Sequence, residues 1–341
     1  WQELNPGLPD LPITGLIVEH DALAIASHGR GFWILDNVAP LRQARAGMTR
    51  EDMILFEPAS AVRSSDGATL AYWLKESPAD ARLEILGPDG DVLRTFEPAD
   101  TSQDRNRWSG PNLPTEPGLN RLQWDLKTDP APTFPGMILW GVRTMAATVP
   151  SGRYTVRLTA DGRTRSTELL VERNPWIQDV SDADLQEQFA FARRIQGKVA
   201  EANSAVIAIR RAKVQLEDRL QTSDDRRLQS AADSFLEKAS EVEANIYQVR
   251  NRSGQDPLNF PIKVNNRLAN LLSMVERGDG APNDGMREVF GIMVERLNGY
   301  TAALQEIWDN EMSAVNRELE RLGLSPLDPW DETTELPEIV G

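Results

Sequence analysis

The chain has 341 residues, a formal net charge of -15, 40% hydrophobic residues and no cysteine. This length suits two or three domains rather than one. The charge argues against nucleic acid and anionic membrane surfaces as partners, since both call for a basic patch. The missing thiols exclude disulfides, thiolate metal sites and a cysteine nucleophile.

No apolar run reaches the roughly 18 to 20 residues of a membrane span, so none is expected. A chain without free thiols is compatible with a periplasmic or secreted setting. The opening WQELNPGLPDLP lacks a basic start followed by an apolar stretch, and Trp1 reads as an internal position. The expectation is therefore the C-terminal portion of a longer protein.

Residues 1–60 read as short strands. GLIVEH and ALAIAS are two apolar runs joined at His20-Asp21, and Gly29-Arg30-Gly31 then leads into FWILD. Glycine on both sides of Arg30 predicts a tight connection between strands. Three strands alone leave a face uncovered, so this piece is expected to lean on something else.

Residues 61–173 read as an all-β domain. ARLEILGPDGDVLRTFEP predicts a hairpin turned at Pro88-Asp89-Gly90, and GLNRLQWDLK a strand with Leu122, Trp124 and Leu126 on one face. GRYTVRLTADGRTRSTELLVER predicts a final hairpin turned at Asp161-Gly162. Regular strands with turn signals predict a small immunoglobulin-like β-sandwich. Between them, TDPAPTFPGMILWGV is Pro-rich and apolar and predicts an ordered loop carrying Trp140.

From about Asp179 the periodicity becomes helical. Ser181 and Asp184 form a capping signature, and apolar residues recur with heptad-like spacing from Leu185 to Leu220. Further helices are predicted over about 226–249, 262–276 and 285–322. Short Gly/Pro/Asp links between them predict an antiparallel four-helix bundle over 179–324. The acidic, Pro-containing tail 325–341 is expected to be at least partly flexible.

The chemistry-bearing residues are few. Ser27, His28 and Asp36 can be written as a triad, but neighbours on a strand point to opposite faces, and no G-x-S-x-G elbow is present. His28 is therefore expected to be structural, bonding within a turn, with Arg30 bonding carbonyls or a carboxylate such as Asp36. Two histidines without cysteine make no zinc site, and Asp89-Gly90-Asp91 reads as a turn rather than a calcium loop. No carboxylate pair stands out from the many acidic residues, and no catalytic residue, metal or cofactor is assigned. Trp73, Trp124 and Trp176 are expected in the core. Trp140 and Trp108 lie in loops, where they would contact a sugar face or an interface.

The stretch LPITGLIVEHDALAIASHGRGFWILDNVAPLRQ resembles the last blade of the BNR/Asp-box β-propellers, the sortilin-like and sialidase-like proteins often labelled glycosyl hydrolases in bacteria. That family closes its propeller with T-H-G-R-x-[FW]-W-I-L-D. Here Ser27 replaces the Thr, while His28, Gly29, Arg30, Phe32, Trp33, Ile34, Leu35 and Asp36 match. SSDGATLAYW is a degenerate echo of the blades' S-x-D-x-G-x-x-W box, with Ala68 in the place of a glycine. ARLEILGPDGDVLRTF, GLNRLQWDLK and PSGRYTVRLTADG resemble the immunoglobulin-like domain of flagellar hook-capping proteins. DPLNFPIKVNNRLANL resembles a helical tail found in the same bacterial proteins.

The resemblance implies an extracytoplasmic bacterial protein whose propeller holds any catalytic groups. In related xyloglucan hydrolases those carboxylates lie in blades this sequence does not include, so none is carried over. The implied partners are the missing blades, in the same or a copurifying chain, a second copy through the helical bundle, or a polysaccharide. Three functions follow: a non-catalytic scaffold region, an accessory part of a glycoside hydrolase or peptidase, or a carbohydrate-binding sandwich.

Overall fold

The computed structural model describes residues 10–19, 22–45, 47–63, 67–99 and 108–337. The His20-Asp21 connection and the Ser64-Ser65-Asp66 start of the degenerate box lie outside the described residues. The chain is a mixed β and α protein that divides into two compact units. One comprises residues 1–100, 111–126 and 151–176; the other comprises 101–110, 127–150 and 177–341.

The first unit begins with an antiparallel meander of β1 (Ile13–Glu19), β2 (Ala22–Ser27) and β3 (Phe32–Leu35), in the order β1-β2-β3. A one-turn helix, α1 (Ala39–Gln43), follows. Pro40 stands in its first turn, and the Asn37 side chain accepts from the Ala39 amide at 3.0 Å. Next come β4 (Met53–Leu55), β5 (Ala61–Val62), β6 (Ala68–Leu74), β7 (Ala81–Leu86), β8 (Val92–Phe96), β9 (Gly118–Trp124), β10 (Gly152–Ala160) and β11 (Arg163–Glu172). They form a three-stranded sheet, β4-β6-β9, and a five-stranded sheet, β5-β11-β10-β7-β8.

Alternation decides which face each strand buries. Asn120, Leu122 and Trp124 of β9 are buried, as are Tyr154, Val156, Leu158 and Ala160 of β10. Trp124 and Tyr154 meet edge to face with ring centroids 6.1 Å apart. The β10–β11 hairpin turns at Asp161 (φ 46°) and Gly162 (φ 74°). Aspartate visits the left-handed region more readily than most residues, and here the Asp161 side chain is fixed by bonds to the chain before β7. Its Oδ1 accepts from the Ala79 and Asp80 amides at 3.0 and 3.3 Å, and its own amide donates to the Asp80 carbonyl. Trp176, expected in the core, is instead 90% exposed; its setting in NPW offers no apolar period to bury it.

The second unit is built on α2 (Asp182–Gln221), α3 (Arg226–Ile246), α4 (Val264–Val275), α5 (Asp284–Ile307) and α6 (Ser313–Arg321). Ser181 and Asp184 complete the predicted capping box of α2, while Asp225 caps α3 and Asn283 caps α5. A π-turn over Trp308–Met312 joins α5 to α6, so the predicted long last helix is continuous with one wide turn in it. Trp308 is buried there, 5.9 Å from the Phe235 ring of α3.

One segment groups differently from the sequence reading. Residues 127–150, assigned by sequence to the β domain 61–173, group with the helices: Ala131, Phe134, Leu139, Val142, Met145 and Ala147 share the helices' apolar core. The described part of the tail, residues 325–337, makes contacts with the helices. Leu327 is 4% exposed, and the Gln215 amide bonds the Asp328 backbone in both directions, at 2.7 and 2.8 Å. Asn316 does the same for Leu327. Side-chain amides on helices supply partners that proline-rich composition does not reveal.

Candidate functional site

The propeller-like motif occupies the β2–β3 turn of the first unit. Gly29 (φ 82°) and Gly31 (φ 75°) both take the left-handed conformation that glycine permits, which explains the flanking of Arg30. The turn closes through Ser27, whose amide and hydroxyl both donate to the Gly31 carbonyl at 3.1 and 2.8 Å. The His28 amide donates to the Pro12 carbonyl at 3.0 Å, tying the turn to the residue just before β1.

His28, Arg30 and Asp36 are exposed. The turn bonds expected of the imidazole and guanidinium are thus made by Ser27 and by the His28 backbone. With its hydroxyl committed to Gly31, Ser27 is not paired with the neighbouring ring. Trp33 is half-buried, and its indole nitrogen is buried without a hydrogen-bond partner.

The surface around the motif is apolar. Phe32 is 81% exposed and Ile34 64%, while Leu16, Ile17 and Val18 of β1 are 53–64% exposed. Such a density of exposed aliphatic and aromatic residues on a three-stranded sheet is unusual for a finished surface.

In the second unit, Trp140 stands on the segment 127–150, which is held to the helices by a series of buried polar side chains. On α2, Gln196 bonds the Thr128 hydroxyl and the Asp129 carbonyl, and Asn203 donates to the Pro132 carbonyl at 2.8 Å. On α4, Asn266 accepts from the Trp140 amide at 2.8 Å and donates to its carbonyl at 2.9 Å. Ser273 accepts from the Arg143 amide at 2.9 Å, and Glu276, just past the helix, accepts from the Thr148 amide at 3.0 Å.

Tyr247 completes the set by accepting from the Ile138 amide at 3.0 Å; burial pushes its phenol above the usual range. Beside it, Arg210 lies 4.5 Å over the Phe134 ring and pairs with Glu243 at 2.8 Å. Trp140 as a whole residue is 38% exposed. Trp108 is half-buried against the helical core. Sequence reasoning singled out both tryptophans but missed the amides that position the segment carrying Trp140.

Among the described residues, no group of three or more His, Asp or Glu side chains is placed to hold a metal ion. No described helix is long and apolar enough to cross a membrane.

No protein-family model matches the chain. No curated protein matches it either. Among solved structures, the crystal structure of CopC from Methylosinus trichosporium OB3b is similar to 36% of this chain and 95% of its own at 13% identity, with a TM-score of 0.20. At that score the likeness carries no argument about fold or function.

Proposed function

We propose that this chain is a non-catalytic scaffold and interaction region of a larger secreted or periplasmic β-propeller protein of the BNR/Asp-box kind. In this reading β1–β3 is the last-blade remnant, the sheets β4-β6-β9 and β5-β11-β10-β7-β8 form an immunoglobulin-like sandwich, and the helices form a four-helix bundle. The observation that carries it is the apolar meander. Phe32 and Ile34 of the SHGRGFWILD motif, and Leu16 on the neighbouring meander strand β1, are each at least 64% exposed. Three strands with exposed apolar faces and open edges call for further strands of the same architecture.

The test is the solution behaviour of the chain. Alone, it is expected to self-associate through β1–β3, and Phe32→Ser with Ile34→Ser is expected to return it to a monomer. A wild-type monomer whose β1–β3 amides resist hydrogen exchange would sink the proposal, because the meander would then be complete as it stands.

A second reading, an accessory wall of a glycoside hydrolase or peptidase, is favoured by Trp140. Its backbone is fixed by Asn266 while the residue stays partly exposed, the arrangement of a stacking platform. Trp140→Ala should then weaken polysaccharide retention in affinity electrophoresis; unchanged retention removes this reading.

A further inference from the structure

The second unit contains a cavity of about 180 Å³ between the end of α3, the start of α4 and the middle of α5. Its rim carries Lys263, Arg267 and Arg296, and Tyr300 and Asn245 add polar groups. Its floor includes Ile262 and Met293. No carboxylate lines it. Among the described residues none of the three cations has an ion pair or a side-chain hydrogen bond.

Exposed arginines such as Arg50, Arg121 and Arg317 also stand without an ion pair among the described residues, so what sets this cavity apart is the convergence of three such cations on one depression. In two other cavities of the molecule the cations have carboxylate partners. Near Asp52, the cations Arg163 and Lys75 both pair with that carboxylate. At Gly87, Arg153 pairs with Glu168. Only an arriving anion would neutralise the group around Met293 in the same way.

We propose that this cavity binds a small organic polyanion carrying two or three carboxylates. Three cations call for more than one negative charge, and guanidinium forks match carboxylate oxygens pairwise. The volume is below the roughly 300 to 1,000 Å³ of drug-sized sites, which restricts the ligand to a compact acid. Ile262 and Met293 favour a carbon skeleton over a bare inorganic oxyanion, because they have apolar surface to cover.

The test uses the full chain with three probes, succinate, citrate and inorganic phosphate, at ionic strength held constant with chloride. Saturable binding of succinate or citrate is expected by calorimetry, tighter than for phosphate, with the Met293 methyl signal shifting in step. Arg267→Ala and Arg296→Ala are each expected to weaken binding about tenfold, the loss of one screened charge-assisted contact. Arg317→Ala, on α6 outside the cavity, should leave it unchanged.

Both arginines in the cavity are exposed, so folding of the variants is checked by circular dichroism; the Met293 shift reads the site in the unaltered chain. No saturable binding of either acid below about 1 mM overturns the proposal. So does binding that survives both substitutions, or phosphate binding as tightly as succinate.

Discussion

Replacing Asn266 by Ala tests whether α4 holds the segment 127–150 by hydrogen bonding or merely lies beside it. Asn266 is 3% exposed and bonds both backbone groups of Trp140, at 2.8 and 2.9 Å. A typical hydrogen bond contributes about 1 kcal/mol net, rising to about 1–3 kcal/mol when the abandoned partner stays dry. Trp140 is 38% exposed, so water can reach part of what Asn266 leaves behind. The expected loss is therefore about 2–3 kcal/mol, the lower end of the roughly 2–6 kcal/mol that two bonds allow.

For a unit of this size that loss corresponds to a fall in Tm of about 4–12 °C. Far-UV circular dichroism follows the helical unit, and hydrogen exchange at the Trp140 amide reads the segment directly. Asn266→Asp keeps the acceptor for the amide but loses the donor to the carbonyl and buries a charge, so it should be no better than Ala. A loss under about 0.5 kcal/mol with Trp140 exchange unchanged would refute the reasoning, since the bonds would then contribute nothing beyond solvent.

Three further outcomes are expected. Arg210→Ala strips Glu243 (5% exposed) of one of its two cations and should cost about 3 kcal/mol, whereas Arg210→Met with Glu243→Leu should recover most of it in urea unfolding. Gly67→Ala should destabilise the first unit by more than about 2 kcal/mol: at φ 67° its Cβ would stand 2.1 Å from the Trp124 carbonyl oxygen, a backbone atom held in the β6–β9 ladder. The Glu84 carboxyl lies below its ordinary 4.5, chiefly through the hydrogen bond from Arg157 and opposed by desolvation. A depressed carboxyl stabilises the fold above its unfolded value, and that contribution disappears as pH falls through the folded one. Glu84→Gln should therefore shrink the stability lost on acidification below about pH 4.5, and an unchanged acid limb would remove Glu84 from the account.

The parts of the fold that were legible are those with a local period. The hairpin turns at Asp161-Gly162 and around Gly90 follow from turn chemistry, and the start of α2 follows from Ser181 and Asp184. The apolar stripe of α5 and α6 was also legible, but the wide turn at Trp308–Met312 was not, because one added residue per turn hardly disturbs it. The propeller-like motif was legible as a turn through Gly29 and Gly31. Which atoms close it was not, since Ser27 acts through a bond four residues away. The cationic cavity was invisible because Lys263 and Arg296 are far apart in sequence and meet only in the folded unit.

The docking of residues 127–150 had a signal in the sequence, in polar residues that interrupt an apolar stripe. Gln196 and Asn203 are seven apart on α2, and Asn266 and Ser273 are seven apart on α4. Seven helical residues rise about 10.5 Å. Three extended residues span about 10 Å, and the partners step by three: Asp129 to Pro132 on one helix, Trp140 to Arg143 on the other. Along α2 a polar heptad thus matches the repeat of an extended chain, whereas along α4 the chain bends at Gly141 (φ 70°) between the two partners.

This separates two expectations for Asn203→Leu. By apolar pattern alone the change completes the α2 stripe and should stabilise. In the structure Asn203 is fully buried, donates to Pro132 and accepts from Asn265 at 3.2 Å, linking the two helices. Leucine leaves a carbonyl and an amide dry, so a loss of about 2 kcal/mol or more is expected in urea unfolding. A gain in stability would mean that the segment is held by its buried Phe134 and Met145 alone, with the amides as bystanders.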